Sequence, residues 1–325
     1  MVDKSERNDF MSAVSIILWC LFGILVLLIL AGIYLSNIII KKKPSKDQNI
    51  QEHIRESLLE GEWDTIIDRY NHSDKTLLEL TSPHGYVLKG YAVRPHPQSK
   101  KWMILCHGVT ASKTRSLMYA AIFDALGYNY CIYDHRYHGE SKGKTISYGF
   151  YERDDLKLVA DEIKKQFTPD VLGIHGESMG SGITLMYAGS IEDGADFYIT
   201  DCPYDNFYEE VRYQINTMIT LPLSLQNFLL ELADIFVRIR GKFSMKQVAP
   251  AEVVDNIKNP VLFITSKEDM YIPPAMTQNL FNLKTHGYKK LYIAPKGGHA
   301  QSYIQNPEQY KKEVADFLQE IFPSS

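Results

Sequence analysis

Cysteine is scarce in this chain. Four residues in 325, at Cys20, Cys106, Cys131 and Cys202, are too few for a disulfide scaffold and lack the close pairing of a zinc or redox motif. An excess of positive charge is lacking too: 35 Lys and Arg stand against 39 Asp and Glu. With a net charge of -4 there is no global field to hold a nucleic acid, and none of the 21 Tyr belongs to a basic-aromatic platform. Internal repeats and low-complexity tracts are missing. A hydrophobic content of 45% excludes disorder as the main state.

Charge itself is absent from Phe10 to Ile40, and within that stretch Ile16 to Leu35 is an almost pure apolar run of 20 residues. At about 1.5 Å per residue such a helix spans the hydrocarbon core of a bilayer. A cleaved signal peptide is the competing reading, but the run exceeds the usual h-region and no small-x-small site with a polar mature start follows it. Lys4 and Arg7, mixed with Asp3, Glu6 and Asp9, flank the run on one side, and Lys41, Lys42, Lys43 and Lys46 on the other. The positive-inside rule then puts the larger domain in the cytoplasm. The expected divisions are a tail at 1–10, a transmembrane anchor at 11–40, a juxtamembrane linker at 41–75 and one large domain at 76–325. Within the linker Ile50, Ile54, Leu58, Trp63, Ile66, Ile67 and Tyr70 recur at helical spacing around Gly61. They predict one or two amphipathic helices packed on the domain that follows.

From Thr76 short apolar strands alternate with helical stretches, the pattern of a mostly parallel sheet covered on both faces. Thr76 to Leu80 and Tyr86 to Val93 predict an opening hairpin around Ser82-Pro83-His84-Gly85. Strands follow at Trp102 to Cys106, Tyr128 to Tyr133, Val171 to Ile174, Phe197 to Thr200, Val261 to Thr265 and Leu291 to Ala294. Helices are expected at Thr114 to Leu126, Tyr151 to Phe167, Ser178 to Gly189, Pro274 to Lys284 and Pro307 to Phe322. The stretch 203–250 holds no clear strand but much Tyr, Phe, Leu and Met. It reads as a helical insertion, a lid over a pocket or an added cover for the core.

The strongest motif is Gly176-Glu177-Ser178-Met179-Gly180, between an apolar strand and a helix. That setting is the one a nucleophile elbow requires: the turn strains the serine, needs small neighbours, and raises the hydroxyl at the positive end of a helix. A serine needs a histidine to take its proton, and the histidine an acid to fix its tautomer. Asp269 follows the strand 261–265, and His299, in Gly297-Gly298-His299, follows the strand 291–294. Parallel strands bring all three loops to one sheet edge. Asp201, at the end of the strand 197–200, is a rival acid. The oxyanion of acyl transfer needs two backbone N–H donors, for which Met179, after the nucleophile, and Val109, in Cys106-His107-Gly108-Val109, are the candidates. His107 is read as a support for its loop, His175 and Glu177 as supports for the elbow, and Cys202 as packing. Asp134-His135-Arg136-Tyr137-His138 lacks a ligand set with metal spacing, so hydrogen bonding is expected of it.

The segments CHGVTASK, HGESMGSG, SKEDMYIP and GGHA resemble the α/β-hydrolase superfamily, above all its serine-peptidase-like and cinnamoyl-esterase-like branch with membrane-anchored bacterial members. The resemblance covers about three quarters of the chain. It implies an α/β fold with an eight-stranded, mostly parallel sheet, Ser178 as nucleophile, Asp269 as acid, His299 as base, Val109 and Met179 as oxyanion donors, and no cofactor or metal. Ser181 stands where a further glycine often follows the elbow. The expected activity is hydrolysis of a carboxylic ester or similar acyl bond in a small-molecule substrate with an apolar acyl group, by a membrane-anchored enzyme. A peptidase or acyltransferase would use the same residues. A scaffold that lost catalysis is disfavoured, since every required residue is present.

Overall fold

The structure is a computed structural model that describes residues 4–42, 44–218 and 220–323, with side chains from Ser12 onward; Asp3, Lys43 and Ile219 lie outside the described residues. The chain opens with helix α1 (Lys4–Ile40). Residues 4–10, expected in a tail, are helical: a long apolar helix propagates at little cost into flanking residues. Helices α2 (Asp47–Ser57) and α3 (Glu62–His72) follow. Each turns its apolar positions to the domain, burying Ile50, Ile54 and Trp63.

Strands β1 (Asp74–Thr81) and β2 (Val87–Arg94) form the opening hairpin, closed by Gly85 at φ +79°. Then come β3 (Lys101–Cys106), α4 (Leu117–Ala125), β4 (Asn129–Tyr133), α5 (Glu152–Phe167), β5 (Val171–Glu177), α6 (Met179–Ser190) and β6 (Phe197–Asp201). The stretch 203–250 is helical, with α7 (Phe207–Met218) and α8 (Leu223–Gly241), and ends where α9 (Pro250–Val253) begins. The fold closes with β7 (Val261–Ser266), α10 (Pro274–Leu283), β8 (Lys289–Ala294), α11 (Ser302–Gln305) and α12 (Pro307–Ile321).

All eight strands join one sheet in the order β1-β2-β4-β3-β5-β6-β7-β8, antiparallel at β1/β2 and β2/β4 and parallel elsewhere. β4, β6 and β7 are buried along their whole length because helices cover both faces, which is why they read as unbroken apolar runs. β5 runs three residues beyond its apolar stretch. Gly176 and Glu177 pair with Thr200 and Asp201, so the sheet carries the chain right up to Ser178.

α1 also belongs to the packed domain. Its side chains are exposed from Ile16 to Leu27, whereas Gly32, Ser36, Ile39 and Ile40 are buried. Gly32 lets Phe236 of α8 lie against the helix, since a Cβ there would fall within the ring. The Arg240 guanidinium donates to the Ile33 carbonyl at 3.1 Å, Ser36 Oγ at 2.6 Å and Asn37 Oδ1 at 2.8 Å. The Ile40 carbonyl accepts the Ile146 N–H at 3.0 Å, and the Tyr148 hydroxyl donates to the Ile39 carbonyl at 3.1 Å.

Candidate active site

Ser178 stands between β5 and α6 with φ +55° and ψ -115°, a conformation costly for any residue but glycine. The surroundings enforce it. Its N–H donates to the Asp201 carbonyl at 2.8 Å, and Ser181 Oγ donates to the carbonyls of Gly176 and Asp201 at 2.7 and 2.8 Å. A Cβ at Gly180 would strike the Cys106 carbonyl, and one at Gly176 would strike the backbone of Gly180, so neither position admits a side chain. Ser181, which departs from the family pattern, is thus a brace for the elbow.

The loops after β7 and β8 bring Asp269 and His299 to the serine. Ser178 Oγ lies 2.8 Å from His299 Nε2, and His299 Nδ1 lies 2.9 Å from Asp269 Oδ2. The other Asp269 oxygen accepts the N–H groups of Tyr271 and Ile272, both at 2.9 Å. This carboxyl is buried, and its partners are the His299 ring and two backbone N–H groups. The carboxylate fixes the imidazole proton on Nδ1 and leaves Nε2 as acceptor for the serine hydroxyl. Asp201 is turned elsewhere, taking the Ser302 hydroxyl at 3.0 Å and the Tyr119 hydroxyl at 3.5 Å. Burial, then the neighbouring Glu177 charge, pushes its carboxyl up to about 7.

Val109 and Met179 both line the cavity that holds Ser178. Met179 is the first residue of α6, so its N–H has no acceptor within the helix. The loop bearing Val109 is propped from below: His138 Nε2 accepts the Thr110 N–H at 3.3 Å, and His107 bridges to the His135 N–H at 3.1 Å. Burial drives His107 down to about 3, so it is a neutral acceptor. Asp134 takes the Lys113 N–H at 2.8 Å and its ammonium at 2.7 Å. The Asp134 to His138 segment thus serves the loop through hydrogen bonds. Arg115, on Glu177 at 3.1 Å and on the Ala300 carbonyl at 3.1 Å, ties the elbow to the histidine loop.

Cys202, Asp269 and His299 place three ligand-type atoms within 4.8 Å of one another. Asp269 and His299 are engaged with each other. Burial, then the charges of Asp201 and Asp269, raises the Cys202 thiol well above its ordinary range, which disfavours the thiolate a metal takes.

The cavity above Ser178 is about 340 Å³ and mainly apolar. From the insertion, Phe207, Val211, Ile215 and Met218 of α7 line it. Further along the insertion Leu230 joins the core, Leu229 is half-buried, and Leu221, Leu223, Leu225 and Phe228 are exposed. Three contributors carry no signal in the sequence. Ile38 and Ile39 at the end of α1 form a wall, and Glu210 brings a buried carboxyl into the pocket. Burial, opposed by the His299 and Lys42 charges, pushes Glu210 up to about 7. A second, more polar cavity lies beyond Val109, among Ser45, Asn49, His53, Thr110, Arg115 and Glu177.

A family model described as serine aminopeptidase, S33, matches residues 97–220. The Bacillus subtilis protein YqkD is 42% identical over 306 residues, 93% of this chain and 97% of that one. The chain belongs to the α/β-hydrolase superfamily. This hydrolase is also similar, at 24% identity over 212 residues, to the lysophosphatidylserine lipase ABHD12 of Danio rerio, covering 62% of its own length and 53% of the lipase. The Saccharomyces cerevisiae membrane protein YNL320W is 24% identical over 249 residues, 74% of this chain and 78% of the yeast protein. Among solved structures, the Pyrococcus furiosus esterase Pf2001 superposes with a TM-score of 0.62 at 21% identity, over 76% of this hydrolase and 93% of the esterase, a likeness of fold.

Proposed function

We propose that this hydrolase is a membrane-anchored serine esterase that cleaves an apolar acyl group from a polar alcohol through an acyl-enzyme. The observation that carries the reading is the unbroken chain from Ser178 Oγ to His299 at 2.8 Å and from His299 to Asp269 at 2.9 Å, at the inner end of an apolar cavity. Ser178 Oγ attacks the ester carbonyl while His299 Nε2 takes its proton. The carbonyl oxygen becomes an oxyanion held by the N–H groups of Val109 and Met179. His299 then gives the proton to the departing alcohol. A water, deprotonated by the same nitrogen, releases the acid in a second step. The two cavities on either side of Val109 suit an acyl chain and a polar leaving group. α1, with the lysines at its end, is read as a single-pass anchor with the domain in the cytoplasm, the orientation that protease protection of sealed vesicles tests.

Glu210 favours a second reading. A buried carboxyl in the pocket, with Oε1 unpartnered among the described residues, suits an ammonium or N–H donor and hence an aminoacyl substrate. One panel separates the two: acyl esters of increasing length beside aminoacyl amides, each with wild type and Ser178→Ala. The esterase reading expects kcat/KM to rise with acyl length by up to about 0.8 kcal/mol per methylene until the cavity is full. It also expects Ser178→Ala to lose both turnover and fluorophosphonate labelling. Cleavage of amides alone overturns it.

A further inference from the structure

The pocket has an inner end at Ser178, 5% exposed, and an outer end at Ile38 and Met218, 54% and 76% exposed. Its mouth therefore opens between the last turns of α1 and the end of α7. Beyond Met218 the chain turns into α8, and from Tyr213 to Leu230 it carries no charged side chain for 18 residues. Among the described residues of this turn Leu221, Leu223, Leu225 and Phe228 are exposed large apolar side chains. A soluble lid of this composition would present an apolar patch to water.

The helix packing says what covers it. Phe236 meets Gly32, Arg240 meets Ser36 and Asn37, and Gly241 lies beside Ile40, so α1 and α8 run in the same direction. The amino-terminal half of α8 thus extends back along the apolar part of α1, and Ile235 and Ile239 of α8, like Tyr34 and Ile38 of α1, are exposed. Basic residues gather at the other end of the pair, at Lys41, Lys42, Arg240 and Lys242, the level at which the uncharged run of α1 stops. That is the arrangement of a protein surface that enters lipid and meets the phosphates at its rim.

We infer that the tip of the α7–α8 hairpin, residues 213–218 and 220–230, is immersed in the same lipid leaflet as the adjoining part of α1, so that the pocket opens onto the bilayer and draws its acyl ester from there. The inference rests on the anchored-esterase reading for the identity of the substrate, though the immersion of the hairpin is measurable without turnover. Ile38 and Ile39 are then both anchor and pocket wall, and an amphiphile lying beside α1 has its acyl chain next to the mouth.

The test uses the full chain in sealed vesicles of phosphatidylcholine with an anionic phospholipid. With Cys20→Ala, the other three cysteines being buried, Leu223→Cys takes an environment-sensitive dye. The dye is expected to be quenched by spin-labelled phospholipid and shielded from aqueous reductant, while a dye on Lys165→Cys, exposed on α5, behaves in the opposite way. A dye at 223 open to reductant and untouched by the lipid quencher overturns the immersion, as does one shielded only by cross-linking to a second copy. In parallel, Leu223→Asp with Leu225→Asp should lower hydrolysis of a vesicle-embedded long-chain ester by about ten-fold or more. The same pair should leave a water-soluble short ester within about two-fold, since neither residue lines the pocket. Equal rates of wild type and variant on the embedded ester overturn entry from the bilayer while leaving the esterase reading intact. Lipid quenching at 223 in a wild type that cleaves no ester supports the immersion and removes the esterase reading.

Discussion

Two aspartates stand at the ends of neighbouring strands, and what separates them is the set of donors each one faces. Asp269 is bonded to the His299 ring and to two backbone N–H groups. Asp201 is buried beside Glu177 and faces hydroxyls, so its carboxyl is pushed up to about 7. Asp269→Asn should therefore lower kcat by about 10⁴ through the wrong histidine tautomer, and Asp201→Asn should leave most of the activity. The second variant has a signature in stability. A carboxyl whose folded pKa is raised binds its proton more tightly folded than unfolded, so its contribution is full below the unfolded pKa and lost as pH rises toward 7. Asparagine has no proton to lose, so the Tm of Asp201→Asn relative to wild type should rise between about pH 4.5 and 7.5. A difference that stays constant across that range would contradict a buried carboxyl of raised pKa. The order of serine, aspartate and histidine and their loops at strand ends were legible in the sequence because each follows an apolar run. Glu210 was not, because it lies in no motif, and although Glu177 stands inside the elbow motif its partner Arg115 was not legible, because that pairing is a contact across the fold.

Elements divide in the same way. The strands were legible because a sheet covered on both faces demands unbroken apolar runs, and their ends shifted where polar letters continue the ladder, as at Gly176 and Glu177. The double character of α1 was hidden by its uniform hydropathy. Gly32, Ser36 and Asn37 mark its protein-facing stripe, and their partners lie some 200 residues away. Arg240 is the polar fastener of that stripe, with three acceptors on α1. Arg240→Met keeps much of the stem but removes the donors, and hydrogen bonds to a charged group contribute about 1.5–3 kcal/mol each at most. The variant should lower the thermal midpoint in detergent or vesicles by several degrees and loosen the pocket wall, seen as a weaker dependence of kcat/KM on acyl length. If Arg240→Met melts and discriminates like wild type, α1 and α8 are held by apolar packing alone.

At the scale of the whole molecule, the boundary between anchor and enzyme runs through the inside of α1. Leucines and isoleucines up to residue 27 are exposed, whereas Ile39 and Ile40 sit in the same core as Tyr148, Ile183 and Phe243. Each buried isoleucine contributes about 1.5–3 kcal/mol, and the Ile39 and Ile40 carbonyls add two hydrogen bonds to the 146–148 loop. Against a total stability of about 5–15 kcal/mol, losing that packing is severe. Deleting residues 1–27 should therefore free the domain from its anchor while keeping its melting behaviour and its acyl-length profile on detergent-dispersed esters. Deleting residues 1–42 should lower the melting temperature sharply and flatten the acyl-length profile, because Tyr148 and the pocket wall lose their backing from Ile38 and Ile39. The two truncations, compared by thermal unfolding and by kcat/KM across the same ester series, decide where the enzyme begins. Identical behaviour would mean that α1 is a tether alone and that the pocket is complete without it.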